Sequence, residues 1–154
     1  MRVFVTGATG LVGSALIPEL QGAGHTVVGL ARSAQSEQCL RRMGADALRG
    51  DLADHDALRR GAESADGVVH LAFVHDFDDL EGAVRLDAAA VAVLGEALAG
   101  TAHPFLAAAP LPPAPGQPPS AAADPPDSAL TLRRVCARAL LACAACTSVA
   151  PACG

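Results

Sequence analysis

A doubly wound α/β fold, with a parallel sheet of about four to five strands and a Pro/Ala-rich tail behind it, is predicted by three features of this 154-residue chain. Short apolar runs alternate with stretches of helical spacing from the N-terminus to about residue 98. A glycine triplet stands between the first apolar run and the first helical stretch. Near residue 104 the composition changes abruptly: residues 1–103 hold 13 of the 15 glycines and a single proline, Pro18, whereas residues 104–154 hold the other 10 prolines and four of the five cysteines. A folded unit followed by an extended or disordered linker accounts for that break.

Each element has its own justification. Residues 2–6 (RVFVT) are β-branched and aromatic, which predicts a strand. Leu11, Ala15, Leu16 and Leu20 recur at helical spacing over residues 11–21, and Gly22 and Gly24 end that helix. Residues 26–30 (TVVGL) form the second strand and residues 33–43 the second helix, stopped by Gly44. Residues 45–49 give a third strand, and Asp54 starts a short helix through Arg60. A fourth strand covers residues 67–72 (GVVHLA), and a long alanine-rich helix covers residues 78–98. Strand and helix alternating in this way predict parallel βαβ units.

Composition excludes several function classes. The chain carries a net charge of −5, all 11 of its basic residues are arginines, and it has neither basic runs nor Tyr or Trp. Such a surface is unsuited to gripping a phosphate backbone, so no nucleic-acid partner is expected. No signal pattern opens the sequence and no apolar run is long enough to span a bilayer, so a cytoplasmic protein with reduced thiols and no membrane partner is expected.

Between the first strand and the first helix lies Thr6-Gly7-Ala8-Thr9-Gly10-Leu11-Val12-Gly13. Glycines at this spacing allow a tight turn at Gly7, keep Gly10 clear of a ligand and let the helix pack closely at Gly13. The free amides and positive end of the helix then suit a pyrophosphate. The residue about 20 positions beyond such a loop discriminates between nicotinamide cofactors: an acid takes the 2′-hydroxyl of NAD, and an Arg pairs with the 2′-phosphate of NADP. Here that place reads Ala31-Arg32-Ser33, without an acid. NADP is the preferred expectation and NAD the alternative, with Arg32 as a solvated surface charge in the second case.

The stretch RVFVTGATGLVGSAL, with GLARS at 29–33, RGDL at 49–52 and GVVHLAF at 67–73, resembles the short-chain dehydrogenase/reductase superfamily in its NAD-dependent epimerase/dehydratase-like branch, over residues 1–106. This resemblance implies a Rossmann-type NAD(P)-binding domain over 1–106, incomplete after the fourth or fifth strand. It implies that Gly7, Thr9, Gly10, Leu11, Val12 and Gly13 surround the pyrophosphate, with Arg32 and Ser33 at the adenosine ribose. Asp51 and Leu52 would hold the adenine, the alternative for Asp51 being a turn or cap carboxylate. Leu71, Ala72 and Phe73 would line the ribose and the approach to the nicotinamide, the alternative for Leu71 being core packing.

Family reductases and epimerases resembling this chain rest on a Tyr-x-x-x-Lys pair, and the sequence contains neither Tyr nor Lys. The expectation is therefore an oxidoreductase or epimerase by family whose chain, as it stands, has no catalytic residues and no turnover. Two alternatives are a non-catalytic NADP-binding sensor acting through partners and an unproductive frameshifted fragment. Residues 107–127 read as a Pro-rich linker, and residues 128–154 as a non-homologous tail in which Leu132, Val135, Cys136, Ala139, Leu140 and Cys143 can share one helical face. An apolar sheet edge at the fourth strand, unless residues 105–109 cover it, would invite a second copy or another partner. Neither His70, His75, Asp76, Asp78 and Asp79 nor Cys136, Cys143, Cys146 and Cys153 are read as a metal site, because the acids suit a helix start and the thiol spacing does not suit zinc. The substrate is left open.

Overall fold

A computed structural model describes residues 1–74, 76 and 78–108. Five parallel strands, β1 (Arg2–Thr6), β2 (Thr26–Ala31), β3 (Asp46–Arg49), β4 (Gly67–His70) and β5 (Phe105–Ala107), form one sheet in the order β3-β2-β1-β4-β5. Four helices alternate with them: α1 (Leu11–Gly22), α2 (Ala34–Arg42), α3 (His55–Glu63) and α4 (Leu80–Ala97). The chain winds outward from β1 to β3, returns to β1's other side at β4 and winds outward again to β5. This is the doubly wound, Rossmann-like α/β arrangement expected from the alternation of elements.

Both faces of the sheet are covered, which explains why β1 is an almost unbroken apolar run. Val3 and Val5 point to one face, where they share a core with Val27, Ala31, Ile17 of α1 and Leu40 of α2. Phe4 points to the other, among Val28, Leu30 and Val68, against Leu58 of α3 and Val91 and Leu94 of α4. β3 is short and only half-buried because it is an edge strand, which is why its apolar signal in the sequence is thin. Pro18 lies inside α1, where it has no N–H to donate to the carbonyl of Ser14 one turn back.

Three of the four helices start on a side-chain cap: Ser33 accepts from the Ser36 amide, Asp54 from Ala57 and Asp79 from Gly82. The Asp54 bond is 2.9 Å. Asp54→Ala is expected to lower unfolding stability by about 0.5–2 kcal/mol, the range for loss of an N-cap. A urea titration followed by circular dichroism measures it.

Several boundaries differ from those read in the sequence, most by one or two residues, and α3 runs to Glu63 rather than ending at Arg60. β4 ends at His70 rather than at residue 72: the last ladder pair is Thr6↔His70, after which the Leu71 amide still reaches the Thr6 carbonyl at 3.1 Å while β1 gives way to the glycine loop. Leu71, Ala72 and Phe73 therefore form a crest above the end of the sheet. At the other edge, β5 pairs with β4 (Val68↔Phe105, Val69↔Leu106, His70↔Ala107), and the Ala108 amide donates to the His70 carbonyl at 3.0 Å. β4 is thus an interior strand, and β5 takes in Ala107, one residue beyond the expected domain end. The remainder of the 107–127 linker and the 128–154 tail, with its candidate helix and its four cysteines, lie outside the described residues. No helix among the described residues is long and apolar enough to cross a membrane.

Candidate cofactor cleft

Strand order reverses between β1 and β4, and loops leaving neighbouring strand ends diverge at such a point, opening a crevice at the carboxyl end of the sheet. A cleft of about 660 Å³ lies there. Twelve of the thirteen residues singled out in the sequence line it: Gly7, Thr9, Gly10, Leu11, Val12 and Gly13 from the β1–α1 loop, Arg32 after β2, Asp51 and Leu52 after β3, and Leu71, Ala72 and Phe73 after β4. Ser33 does not line it, because its hydroxyl is occupied in capping α2, bonded to the amide and the hydroxyl of Ser36 at 3.1 and 2.9 Å. The sequence reading did not single out Leu30, Ser36, Gly50, Ala53, Val74 and Leu86, which the topology brings to the cleft wall. A Ser three residues after a Ser at a helix start is the sequence signal that marks Ser36, the first-turn partner of the Ser33 cap.

The glycine loop owes its shape to what its residues lack. Gly7 has a positive φ of 68°, and a Cβ there would stand 2.6 Å from the Ala72 nitrogen, so this backbone and the β4 crest are in direct contact. A Cβ at Gly13 would stand 2.4 Å from the Gly7 carbonyl oxygen, so α1 can start directly on top of the turn. The turn is closed by a 3.0 Å bond from the Gly10 amide to the Gly7 carbonyl. Unlike the other three helices, α1 has no side chain capping its amides and no acid in its first turn. Its partial positive charge therefore faces the cleft uncompensated, which favours an anion there. Leu11 and Val12 are exposed beside it at 90% and 62%.

Around the rim, Asp51 is exposed and its Oδ1 accepts from the amides of Ala53 and Asp54 at 2.8 and 3.1 Å. The turn role considered for this carboxylate is thus present in the fold, and Asp51 still borders the cleft. Arg32 is exposed and makes no ion pair among the described residues, whereas Arg41 and Arg49 both reach Glu37. Leu71 is half-buried, lining the cleft while packing against the core beneath α1 and α2.

Three of the residues weighed as metal ligands are engaged elsewhere. Asp79 caps α4, Asp76 accepts from the amides of Asp78 and Asp79, and His70 is turned into the protein interior; His75 lies outside the described residues. Among the described residues no three such side chains converge.

Comparison with known proteins agrees with this geometry. Residues 3–98 match the model of the NAD dependent epimerase/dehydratase family. The chain is 46% identical over 106 residues to an uncharacterized protein of Schizosaccharomyces pombe, an alignment covering 69% of this chain and 36% of that protein. A putative epimerase from Burkholderia cenocepacia superposes with a TM-score of 0.66 at 25% identity, over 92% of this chain and 50% of that one. The Bordetella bronchiseptica enzyme WbmH, solved in complex with NAD+, superposes with a TM-score of 0.51 at 26% identity, over 63% of this chain and 34% of that one. The present chain thus spans about a third of the length of its yeast relative and about half of the Burkholderia cenocepacia chain. By its family match, its sheet topology and its glycine loop, the chain belongs to the NAD dependent epimerase/dehydratase family.

Proposed function

We propose that residues 1–107 form the nicotinamide dinucleotide-binding portion of an epimerase/dehydratase-like oxidoreductase, and that this chain binds the cofactor without turning over hydride. One observation carries the proposal: the cleft at the switch point is walled by an uncapped helix start on a glycine turn, opposite the β4 crest. A pyrophosphate fits the α1 amides, the adenine fits beside Asp51 and Leu52, and the nicotinamide end fits the Leu71–Phe73 side. When bound, a nicotinamide ring supplies hydride transfer. Proton exchange with a substrate oxygen is the protein's part, and the Tyr and Lys that would perform it are absent from the sequence. An intact cleft beside that absence also favours the non-catalytic sensor reading.

NADP is the preferred cofactor in this proposal. Arg32 lacks an ion-pair partner among the described residues and lies on the cleft with Ser36, at the start of α2. A guanidinium paired with a 2′-phosphate contributes about 1.5–3 kcal/mol. Arg32→Ala is accordingly expected to weaken NADP+ binding about tenfold or more while leaving NAD+ affinity within about twofold, as read by calorimetry. Unchanged NADP+ affinity would remove the basis for the preference. Absence of turnover is checked by incubating the chain with NADPH and a panel of carbonyl substrates. Oxidation above a Gly10→Asp control would overturn it.

A further inference from the structure

The opposite end of the sheet carries a second cavity, of about 470 Å³, at the strand starts rather than the strand ends. Its volume falls within the range of about 300–1,000 Å³ typical of small-molecule sites. In a chain of net charge −5, three arginines, Arg2, Arg41 and Arg60, line this cavity with one carboxylate, Asp46.

The fold brings these residues together from separate elements. Side chains alternate along a strand, so Arg2 emerges on the same face as Phe4, the face that α3 and α4 cover, and Asp46 on the same face as Leu48. Val28 is paired with Asp46 in the β2–β3 ladder and forms the floor between β1 and β3. Arg60 and Ser64 stand one turn apart at the end of α3, beside the point where Gly61 lies against the Phe4 ring. Arg41 comes from the end of α2, which packs on the other face through Leu40, so the cavity opens round the β3 edge.

The polar groups left over there are mostly donors. Arg2 and Arg60 make no ion pair among the described residues, and Arg41 shares Glu37 with Arg49. The Asp66 carboxylate accepts from the Arg2 amide at 2.7 Å, which turns it to the backbone rather than to the guanidinium. Ser64 donates its hydroxyl proton to the Gly61 carbonyl at 3.1 Å. β3 adds a backbone donor: the Gly50 amide donates inward to the Ala31 carbonyl, and alternation along the strand then turns the Ala47 amide outward from the sheet edge. Forked guanidiniums and an outward amide match the oxygens of a phosphate, and Val28 and Leu48 offer apolar surface to the group that carries it.

We propose that this cavity binds the phosphate group of a small phosphate monoester, held by Arg2 and Arg60 with Arg41 at the rim. The site is separate from the dinucleotide cleft, at the other end of the strands, and does not depend on the cofactor reading.

The test titrates the full chain with inorganic phosphate at constant ionic strength and follows the arginine Nε–H and backbone amide signals by proton–nitrogen NMR. Saturable shifts are expected at Arg2, Arg60 and the Ala47 amide. The amides of Gly10 to Gly13 report the dinucleotide cleft separately, and shifts confined to them would overturn the proposal, as would shifts that rise without saturating. Arg60→Gln is expected to raise the dissociation constant about tenfold or more, whereas Arg59→Gln, at a side chain paired with Asp56 outside the cavity, leaves it within about twofold. Asp46→Asn is expected to tighten binding about two- to fivefold, because it removes a negative charge from an anion site. Arg60 and Asp46 are exposed, so both variants are expected to fold. An Arg60→Gln chain that binds phosphate as well as the unmodified chain, or an Asp46→Asn chain that binds it less well, would refute the site. Glycerol 3-phosphate is expected to shift the same residues at least as tightly, and loss of binding on esterification would overturn the monoester assignment.

Discussion

Gly7→Ala is expected to abolish detectable NADP+ binding under conditions where the unmodified chain saturates, and to lower stability substantially. Two independent penalties act at this position. The backbone has φ of 68°, a left-handed conformation that costs an L-residue about 1–2 kcal/mol. The new Cβ would also stand 2.6 Å from the Ala72 nitrogen and 2.8 Å from the Leu71 carbonyl carbon, both backbone atoms that cannot swing aside as a side-chain tip could. Forcing an extra methyl into such a contact costs about 1–3 kcal/mol. Relief is available only by lifting the β4 crest or displacing the glycine turn, and either movement distorts the cleft. A chemical denaturation curve and a calorimetric titration on the same preparation separate the two consequences. Retained affinity with a lowered melting temperature would mean that the crest is not part of the site.

Phe4→Ala is expected to lower unfolding stability by about 3–5 kcal/mol, the range for emptying a buried aromatic site. Phe4 is fully buried in the central strand, within the core shared by α3 and α4. Its ring rests on Gly61, where a Cβ would come within 2.4 Å of Phe4 Cζ, so the helix has no side chain with which to fill the gap. Adjacent strands on both sides prevent collapse of the cavity from the sheet. A domain of this size has a stability of about 5–15 kcal/mol, so the variant is expected to be largely unfolded under mild denaturant. A change below about 1 kcal/mol in a urea titration would contradict the placement of Phe4 at the centre of the core.

Local patterns carried most of the architecture. RVFVT, the helical spacing of Leu11 to Leu20 and the flanking glycines are short-range signals, and the strands and helices they imply are present in the fold. The glycine loop was legible because much of its requirement is local: the left-handed turn at Gly7 and the close approach of Gly13 to Gly7 and Ala8 involve neighbours within a few residues, whereas the contact of Gly7 with Leu71 and Ala72 joins distant segments. What escaped sequence reading depends on contacts between distant segments. His70 reads as one polar residue in an apolar strand, and only the pairing of β4 with β1 and the packing of α4 show that Thr6 and Asp87 satisfy it. Ser33 and Ser36 divide their roles for a similar reason, since the cap uses one hydroxyl and leaves the other beside the cleft. The pairing of residues 105–107 with β4 was open in the sequence because a three-residue strand carries too little periodicity to declare itself.

The most direct test of the central claim is a calorimetric titration of the 154-residue chain with NADP+ and, in parallel, NAD+. One saturable site is expected, tighter for NADP+, and at 100 times the dissociation constant the ligand should stabilise the fold by about 2.7 kcal/mol in a thermal melt. A folded chain that releases no binding heat and shows no shift in its melt with either dinucleotide would contradict the assignment of this cleft as a cofactor site.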